Sequence, residues 1–301
     1  MHTMVQEKNN DYDIDDGAVF LKEDLISSWG TDKTALGARK MACSALDDGS
    51  FNTPPAVLKN CVRVFYELGY HVDVPVYRQL KDGTLELASS DWKGSCPSEI
   101  SEWYNDAVCT KSPDTTNGRQ LRRVTRLIKA YKNSRESWKS KTASGFIISV
   151  LVIENYIADD RDDVSLYKTM NAIYDRLNWN LEVENPVRYE MLTKGADDSR
   201  TKFFRERLAE ALKNLEILLD SECARLDALK AWKNVFQHQF WKVLISTEEN
   251  RLNEESKQKK ADLLRKGNSS LAIKAGLIAA AGKPALAHAK RTQAYGGKKN
   301  W

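Results

Sequence analysis

The chain has 301 residues, of which 42% are hydrophobic and 29% charged, a balance typical of one large or two moderate globular domains. It contains no run of roughly 18 consecutive apolar residues and no secretory signal pattern at its start, so we expect a cytoplasmic protein without a membrane partner. Its five cysteines are scattered and include no C-x-x-C pair, which argues against a zinc site and for reduced thiols.

The charge is unevenly distributed along the chain. Residues 1–50 hold ten acids and five bases, whereas residues 251–301 hold three acids and twelve bases. A basic end of this kind is typical of a solvated segment or of a surface that meets an anionic partner. We predict three regions, which cover residues 1–115, residues 116–250 and a basic, Ala- and Gly-rich tail over residues 251–301.

The first region mixes strand and helix signals. The stretch "DIDDGAVFLKE" alternates like a strand interrupted at Gly17, and residues 34–46 have the apolar spacing of a helix. Two prolines in an opening turn and a terminal Gly69 predict a second helix over "TPPAVLKNCVRVFYELG". The runs "YHVDVPVY" and "TLELAS", separated by an Asp-Gly turn, predict a β-hairpin.

From about residue 119 the pattern is helical. An amphipathic helix with many basic residues is predicted to start there, and a nearly all-apolar helix over residues 144–157 is predicted to be buried. Residues 201–240 carry leucines at three- and four-residue steps and predict one long core-facing helical stretch. Strands and helices followed by helices alone indicate an α+β protein.

Four aspartates are crowded into the stretch "NNDYDIDDGAVF", and three kinds of site compete for them. A solvated acidic turn explains them without any function. An EF-hand calcium loop requires Gly at its sixth position and Glu at its twelfth, but Asp16 and Lys22 stand there. The sequence therefore excludes the EF-hand. We leave Asp11 and Asp16 out of the metal-binding set, since Asp11 suits an acid that supports the ligands, or the loop before the strand, and Asp16 suits the turn at Gly17.

The third candidate is a divalent-metal site on a strand. Residues two apart in a strand share a face, so Asp13 and Asp15 can aim at one point. Like charges this close repel each other unless a cation lies between them. Asp73, the single acid of a valine-rich strand, is the candidate third ligand of a two-metal site for Mg²⁺ (or Mn²⁺). An edge-strand acid that faces water is the alternative for Asp73.

These acid motifs carry a family resemblance. "DYDIDDG" together with "HVDVPVY" resembles the polymerase-β-like nucleotidyltransferases, and more closely the DncV-like branch of the CD-NTases, the cyclic-oligonucleotide synthases of CBASS anti-phage systems. The stretches "LASSDWKGSCPSEISEWY" and "SKTASGFIISVLVIENY" extend the likeness over most of the chain. The resemblance implies a polymerase-β-like nucleotidyltransferase core, a mixed sheet with flanking helices, followed by a C-terminal helical domain.

The resemblance also implies a site. Asp13, Asp15 and Asp73 would be the catalytic, metal-binding acids, and Lys129 and Ser144 would hold the triphosphate of the donor nucleotide. ATP and GTP are the implied substrates, and a cyclic di- or trinucleotide would carry the signal to a CBASS effector. Two simpler roles stay open: Lys129 is one of six basic residues on its helix, and Ser144 is a plausible helix N-cap.

Two departures from the family pattern limit these expectations. Members carry a Gly-Ser on a helix just before the acid strand, but "HTMVQ" here stands at residues 2–6, so we expect a misassigned start or a truncated form. The alternatives are then a homologue that binds nucleotide without turnover, or a nucleotidyltransferase acting on RNA, although nucleic acid is not the expected partner. A ubiquitin-like enzyme conjugates the C-terminus of some members, whereas this chain ends "AYGGKKNW".

Overall fold

The computed structural model describes residue 3 and residues 13–27, 30–67 and 70–265 of the chain. These residues fall into two compact units. One consists of Met1–Lys132 with Lys141–Arg205, and the other of Asn133–Ser140 with Glu206–Trp301. All strands of the described residues, and every residue predicted for the site, belong to the first unit.

Two four-stranded sheets form the first part of that unit. In spatial order the first sheet is β1 (Asp13–Asp15), β5 (His71–Val74), β4 (Val62–Phe65) and β3 (Ala56–Val57), with β1 parallel to β5 and the other pairs antiparallel. The second sheet is β2 (Ala18–Leu21), β6 (Val76–Gln79), β7 (Leu85–Ala88) and β8 (Trp92–Ser95), with β2 parallel to β6. The α+β class and the mixed sheets are therefore confirmed.

The predicted helix over residues 53–69 is wrong, because that segment forms β3 and β4. Val62 and Val64 alternate with less buried residues, and β4 pairs along its length with β5. Two β-branched residues two positions apart suit a pleated surface, and pairing with β5 outweighs the helix signal of the two prolines. The predicted hairpin is confirmed in part: β6 pairs with β7, but β5, the first half of the run "YHVDVPVY", belongs to the other sheet. The interruption at Gly17 is confirmed.

Helix α1 (Ala35–Leu46) covers the two sheets and begins where the sequence predicts. The side chain of Thr34 caps it by accepting a hydrogen bond from the backbone N–H of Gly37 at 3.0 Å. Its small buried residues, among them Ala38 at 0% exposure, pack with Val62 and Val76 in one apolar cluster. Small side chains on a helix let it lie close to a sheet, so this cluster joins both sheets to α1.

Four further helices of the described residues belong to the first unit, and the sequence predicts the second and third of them. They are α2 (Pro97–Lys111), α3 (Gln120–Asn133), α4 (Gly145–Asn155) and α5 (Asp162–Trp179). The predicted burial of α4 is confirmed, since its residues from Ile147 to Ile153 are all buried. A second apolar cluster, centred on the wholly buried Tyr104, holds α2, α3 and α4 together.

The predicted continuous helical stretch over residues 201–240 is wrong. Helix α6 (Ser199–Leu215) ends in a short 3-10 turn, α7 (Arg225–Phe236) follows, and Gln237 adopts a left-handed backbone with φ of 52° before α8 (Gln239–Arg265). Helix α8 continues past residue 251, where the basic tail is predicted to begin. The predicted domain boundaries remain predictions. In the part of the chain that the structure describes, no helix is long and apolar enough to cross a membrane.

Candidate active site

Backbone pairing places two of the predicted acids side by side. Asp15 is the register partner of Asp73 across the parallel strands β1 and β5, and Asp13 is the partner of His71. Paired residues on neighbouring strands share a face of the sheet, so Asp15 and Asp73 lie next to each other although they are far apart in sequence. The side chain of Asp13, and the whole of Asp11, lie outside the described residues.

Asp73 also forms an ion pair with its other neighbour. Arg63, its cross-strand partner on β4, donates from Nε to Oδ1 at 2.7 Å and from Nη2 to Oδ2 at 2.8 Å. The two side chains are only 24% and 13% exposed, so water weakens the pair less than it would on the surface. The hydrogen bonds from Arg63 lower the pKa of Asp73, which is ionised at neutral pH.

The edge-strand alternative for Asp73 is wrong. Strand β5 lies between β1 and β4 in the sheet, and the Asp73 side chain is largely buried between them. A carboxylate buried at a central strand position requires compensation by a positive charge or by hydrogen bonds. Arg63 supplies that compensation in the described structure.

Cys61 adds a third side chain around Asp73. Burial, together with the negative charge of the Asp73 carboxylate, raises the pKa of its thiol to about 11. Cys61 is therefore a neutral thiol at physiological pH and not a thiolate ligand. The donors available to a cation here are carboxylate oxygens, which suit Mg²⁺ or Mn²⁺ rather than zinc.

The chemistry of these donors fits a magnesium-type ion, but the described side chains do not by themselves form a complete cage. Among them, no group of three or more His, Cys, Asp or Glu side chains could hold a metal ion. Asp15 and Asp73 are the two carboxylates that the described structure brings together. The alternation of the strand predicts that Asp13 is the third carboxylate of this site.

Gly17 has a packing role that explains the end of the "DDG" motif. A Cβ at this position would lie 3.0 Å from Cε2 of Tyr77, tighter than nine in ten real Cβ contacts, so the ring would have to move by a few tenths of an ångström. Tyr77 is 8% exposed and so cannot easily move away. Glycine at position 17 therefore lets the chain pass from β1 to β2 directly over the Tyr77 ring.

Lys129 is buried, so its solvated alternative is wrong. The side chain is 6% exposed, and its Nζ donates a hydrogen bond to Oγ1 of Thr3 at 2.6 Å. Burial, and to a smaller extent the nearby charge of Lys132, lowers the pKa of Lys129 to about 8. Its Nζ also lies 3.8 Å from the position that a Cβ on Gly145 would occupy, at the first turn of α4.

Ser144 is the N-cap of α4, as its simpler alternative predicts. Its Oγ accepts a hydrogen bond from the backbone N–H of Ile147 at 3.2 Å. The amino end of a helix carries a partial positive charge, which adds to the charge of the adjacent Lys129. The two residues thus form one basic corner, whose hydrogen bonds among the described residues are with Thr3 and Ile147.

The sequence prediction missed Arg63 and Cys61 because it placed both on a helix. The signal that could have found them is the alternation of "CVRVF", in which Cys61 and Arg63 take one face of a strand and the valines take the other. Thr3 carried no signal, since its contact with Lys129 joins two distant parts of the chain.

Comparison with known proteins supports the resemblance. Residues 1–77 match the family model of the cyclic GMP-AMP synthase DncV-like nucleotidyltransferase domain. Among solved structures, the chain is similar to Vibrio cholerae DncV in its GTP-bound form, with a TM-score of 0.58 and 19% identity over 78% of this chain. It is also similar to the Bradyrhizobium diazoefficiens CD-NTase CdnG in complex with GTP, with a TM-score of 0.61 and 14% identity over 79% of this chain.

These likenesses extend the fold beyond the matched residues. A third structure, Vibrio cholerae DncV with the linear intermediate 5′ pppA(3′,5′)pG, gives a TM-score of 0.57 at 17% identity. The chain covers 64% of the length of the two Vibrio chains and 78% of the CdnG chain. At these identities the structures establish the polymerase-β-like nucleotidyltransferase fold, while the family model identifies its nucleotidyltransferase domain.

Proposed function

We propose that the chain is a CD-NTase, a metal-dependent synthase of a cyclic di- or trinucleotide, because its residues 1–77 match the DncV-like nucleotidyltransferase domain. Its substrates are nucleoside triphosphates, with ATP and GTP the first candidates because the similar solved structures hold these nucleotides or the linear product of the two. We place the activity in the cytoplasm, where these triphosphates are made and used.

One observation carries the proposal: the register pairing of Asp15 with Asp73 on parallel strands. Two carboxylates this close attract a cation between them, in addition to the Arg63 guanidinium that pairs with Asp73. A strand motif and a distant single acid that meet in this way provide oxygen ligands of the kind that nucleotidyl transfer requires.

In this mechanism Asp13, Asp15 and Asp73 hold the ions and orient the phosphate that reacts. Bound Mg²⁺ or Mn²⁺ supplies charge neutralisation of the phosphate oxygens and acidifies the ribose hydroxyl that attacks. The carboxylates keep the attacking hydroxyl and the departing pyrophosphate in line, and the strand pairing holds them rigid. A second transfer of the same kind closes the ring.

The basic corner of Lys129 and Ser144 serves the leaving group. The Lys129 ammonium would exchange its hydrogen bond to Thr3 for one to a phosphate oxygen. The amino end of α4, capped by Ser144, favours the same negative charge. The two features support the pyrophosphate as it leaves without taking part in a proton transfer.

The cyclic product would serve as the signal of a CBASS anti-phage system and act on a partner effector. This role is implied by the DncV-like domain, and the chemistry of the site is independent of it. The C-terminal residues, to which the resemblance assigns a ubiquitin-like conjugating enzyme as partner, lie outside the described residues.

A second candidate function is nucleotide binding without turnover. It is favoured by the Arg63 ion pair, which engages both oxygens of the predicted third metal ligand. In this case the basic corner would bind a triphosphate while the acids would not assemble a working metal centre.

Incubation of the purified protein with labelled ATP and GTP and with Mg²⁺ distinguishes these functions. We expect a phosphatase-resistant product from the wild-type protein and a loss of more than about a hundredfold in Asp15→Asn, since a metal ligand is removed. Asp16→Asn is the matched control: the residue is a neighbouring exposed acid outside the predicted metal set, and we expect it to keep its activity.

Three other results would change the conclusion. Nucleotide binding without any product supports the second candidate. Extension of an added RNA, with no cyclic product, would indicate a polymer-specific nucleotidyltransferase. Equal activity in Asp15→Asn and Asp16→Asn would contradict the assignment of Asp15 to the metal centre.

A further inference from the structure

Asp73, Asp15 and Arg63 form a row of charged side chains across three neighbouring strands. Asp73 occupies the middle strand, with Asp15 in register on one side and Arg63 in register on the other. We propose that Arg63 is a positioning residue that keeps Asp73 from binding a divalent cation until a nucleotide triphosphate arrives with it. This inference rests on the proposed nucleotidyltransferase function.

The first argument is geometric. The guanidinium is planar, and its bidentate pair with Asp73 uses both carboxylate oxygens, with distances of 2.7 and 2.8 Å. Each oxygen retains one further lone pair. A cation that approaches Asp73 from the Asp15 side therefore has only these remaining lone pairs to bind, because Arg63 holds both oxygens from the β4 side.

The second argument is electrostatic. Arg63 cannot lose its proton, so a permanent positive charge stays beside any cation that Asp73 binds. The ion pair is largely buried, which reduces screening by water and salt, and the repulsion between guanidinium and divalent ion persists. A triphosphate brings several negative charges together with its own cation, and these offset the repulsion.

Asp73 therefore has a different set of partners before and after nucleotide binding. In the nucleotide-free protein Asp73 is bound to Arg63, so any cation is held by the acids of β1 without its help. When the triphosphate occupies the site, Asp73 shares an oxygen with the cation while Arg63 continues to fix the other. The pair thereby couples assembly of the complete site to the presence of substrate.

Manganese binding followed by electron paramagnetic resonance tests this order directly. We expect Arg63→Gln, which removes the charge and one arm of the fork, to bind Mn²⁺ about tenfold more tightly than the wild type in the absence of nucleotide. With a non-reactive ATP analogue present, the difference should shrink to about threefold or less, because the triphosphate already offsets the charge. Unchanged or weaker Mn²⁺ binding by a folded Arg63→Gln would overturn the proposal.

Arg78→Gln is the matched control. Arg78 forms a similarly buried cross-strand ion pair with Glu86 on the second sheet, with 2.6 Å between Nε and Oε2. Arg78→Gln should lower the free energy of unfolding about as much as Arg63→Gln does, but it should leave Mn²⁺ affinity unchanged. An equal gain in Mn²⁺ affinity in both variants would show a general charge effect and would also overturn the proposal.

Asp73→Asn tests the same inference without altering Arg63. We expect this variant to bind Mn²⁺ as the wild type does when no nucleotide is present, and to lose Mn²⁺ affinity only with the ATP analogue. Equal losses under both conditions would mean that Asp73 is a ligand throughout, and the proposal would fail. If the wild type binds no Mn²⁺ even with the analogue, it is the proposed nucleotidyltransferase function that fails.

Discussion

Raising the pH through 8 should weaken nucleotide binding, because Lys129 then loses the charge that pairs with a phosphate. Its pKa in the nucleotide-free protein is about 8, well below the ordinary value of 10.5, and burial is the main cause. A phosphate that contacts the ammonium favours the charged form and so raises the pKa again. Binding at pH 9 must therefore take up a proton, and this uptake opposes association.

The magnitude follows from the size of the shift. If phosphate contact returns the pKa close to 10.5, the affinity at pH 9 falls about tenfold below its value at pH 7, where the free lysine is charged. Folding responds in the opposite direction. Keeping the charged lysine buried costs about 3 kcal/mol below pH 8, and this cost is lost as the pH rises from 8 to 10.5.

Calorimetric titration with a non-reactive ATP analogue, at several pH values between 7 and 10, measures this dependence. Lys129→Met should bind less tightly at pH 7 and show no further loss through pH 9. Lys168→Met is the matched control, since this exposed lysine pairs with Asp159 at the surface and should keep the wild-type profile. Lys132→Met should move the midpoint to higher pH, because Lys132 contributes to the low pKa of Lys129.

If Lys129→Met still loses affinity for the analogue between pH 8 and 9, another group causes the pH dependence and the prediction is refuted. A flat wild-type profile would equally show that no phosphate meets this lysine. Thermal unfolding of the nucleotide-free protein adds an independent check. The stability of the wild type relative to Lys129→Met should rise over the same pH window in which its affinity for nucleotide falls.

Two further predictions concern the frame of the site. Ser144→Ala should lower the free energy of unfolding by about 1 kcal/mol, because the helix cap is lost. Ser144→Asp should keep the cap but weaken binding of the ATP analogue, because its negative charge repels the phosphates. Equal binding of the analogue by the wild type and Ser144→Asp would show that Ser144 is not part of the phosphate site. Gly17→Ala should cost about 2 kcal/mol through its clash with Tyr77, and Tyr77→Leu in the same chain should relieve most of that clash. Chemical denaturation of the single and double variants measures both, and additive losses at positions 17 and 77 would contradict the contact.

Much of the site could be predicted from the sequence because its signals are local. The D-x-D alternation of β1 and the single acid among the valines of β5 each lie within a few residues. The cap of α1 and the Asp-Gly turn of the β6–β7 hairpin are short-range signals as well. Each depends on backbone preferences that neighbouring residues settle, and the structure forms strands, a helix and a hairpin at these places, while the metal-binding role of the acids stays a prediction.

The features that the sequence did not predict depend on contacts between distant segments. The local signals of residues 53–69 predict a helix, whereas β4 forms because it pairs with β5, which comes later in the chain. Arg63 could not be recognised as a neighbour of Asp73 without that pairing. The breaks between α6, α7 and α8 depend on a left-handed residue at Gln237, which is neither Gly nor Asn and so gave no local signal. The hydrogen bond from Lys129 to Thr3 joins two distant parts of the chain, whereas the place of Lys129 on the buried face of α3, four residues after Thr125, is a signal within the sequence.

The two parallel strand pairs explain why the acids occupy their positions. The segment that connects β1 to β2 runs beside the segment that connects β5 to β6. Two backbone hydrogen bonds of 3.0 Å join these segments, from Asp16 N to Asp73 O and from Ala18 N to Pro75 O. Asp15 and Asp73 therefore lie where paired parallel strands leave the first sheet, a place where α/β proteins commonly bind ligands. Because backbone groups fix this geometry, replacing Asp15 by Asn should leave the strands paired, and a loss of activity would then report on chemistry rather than on folding.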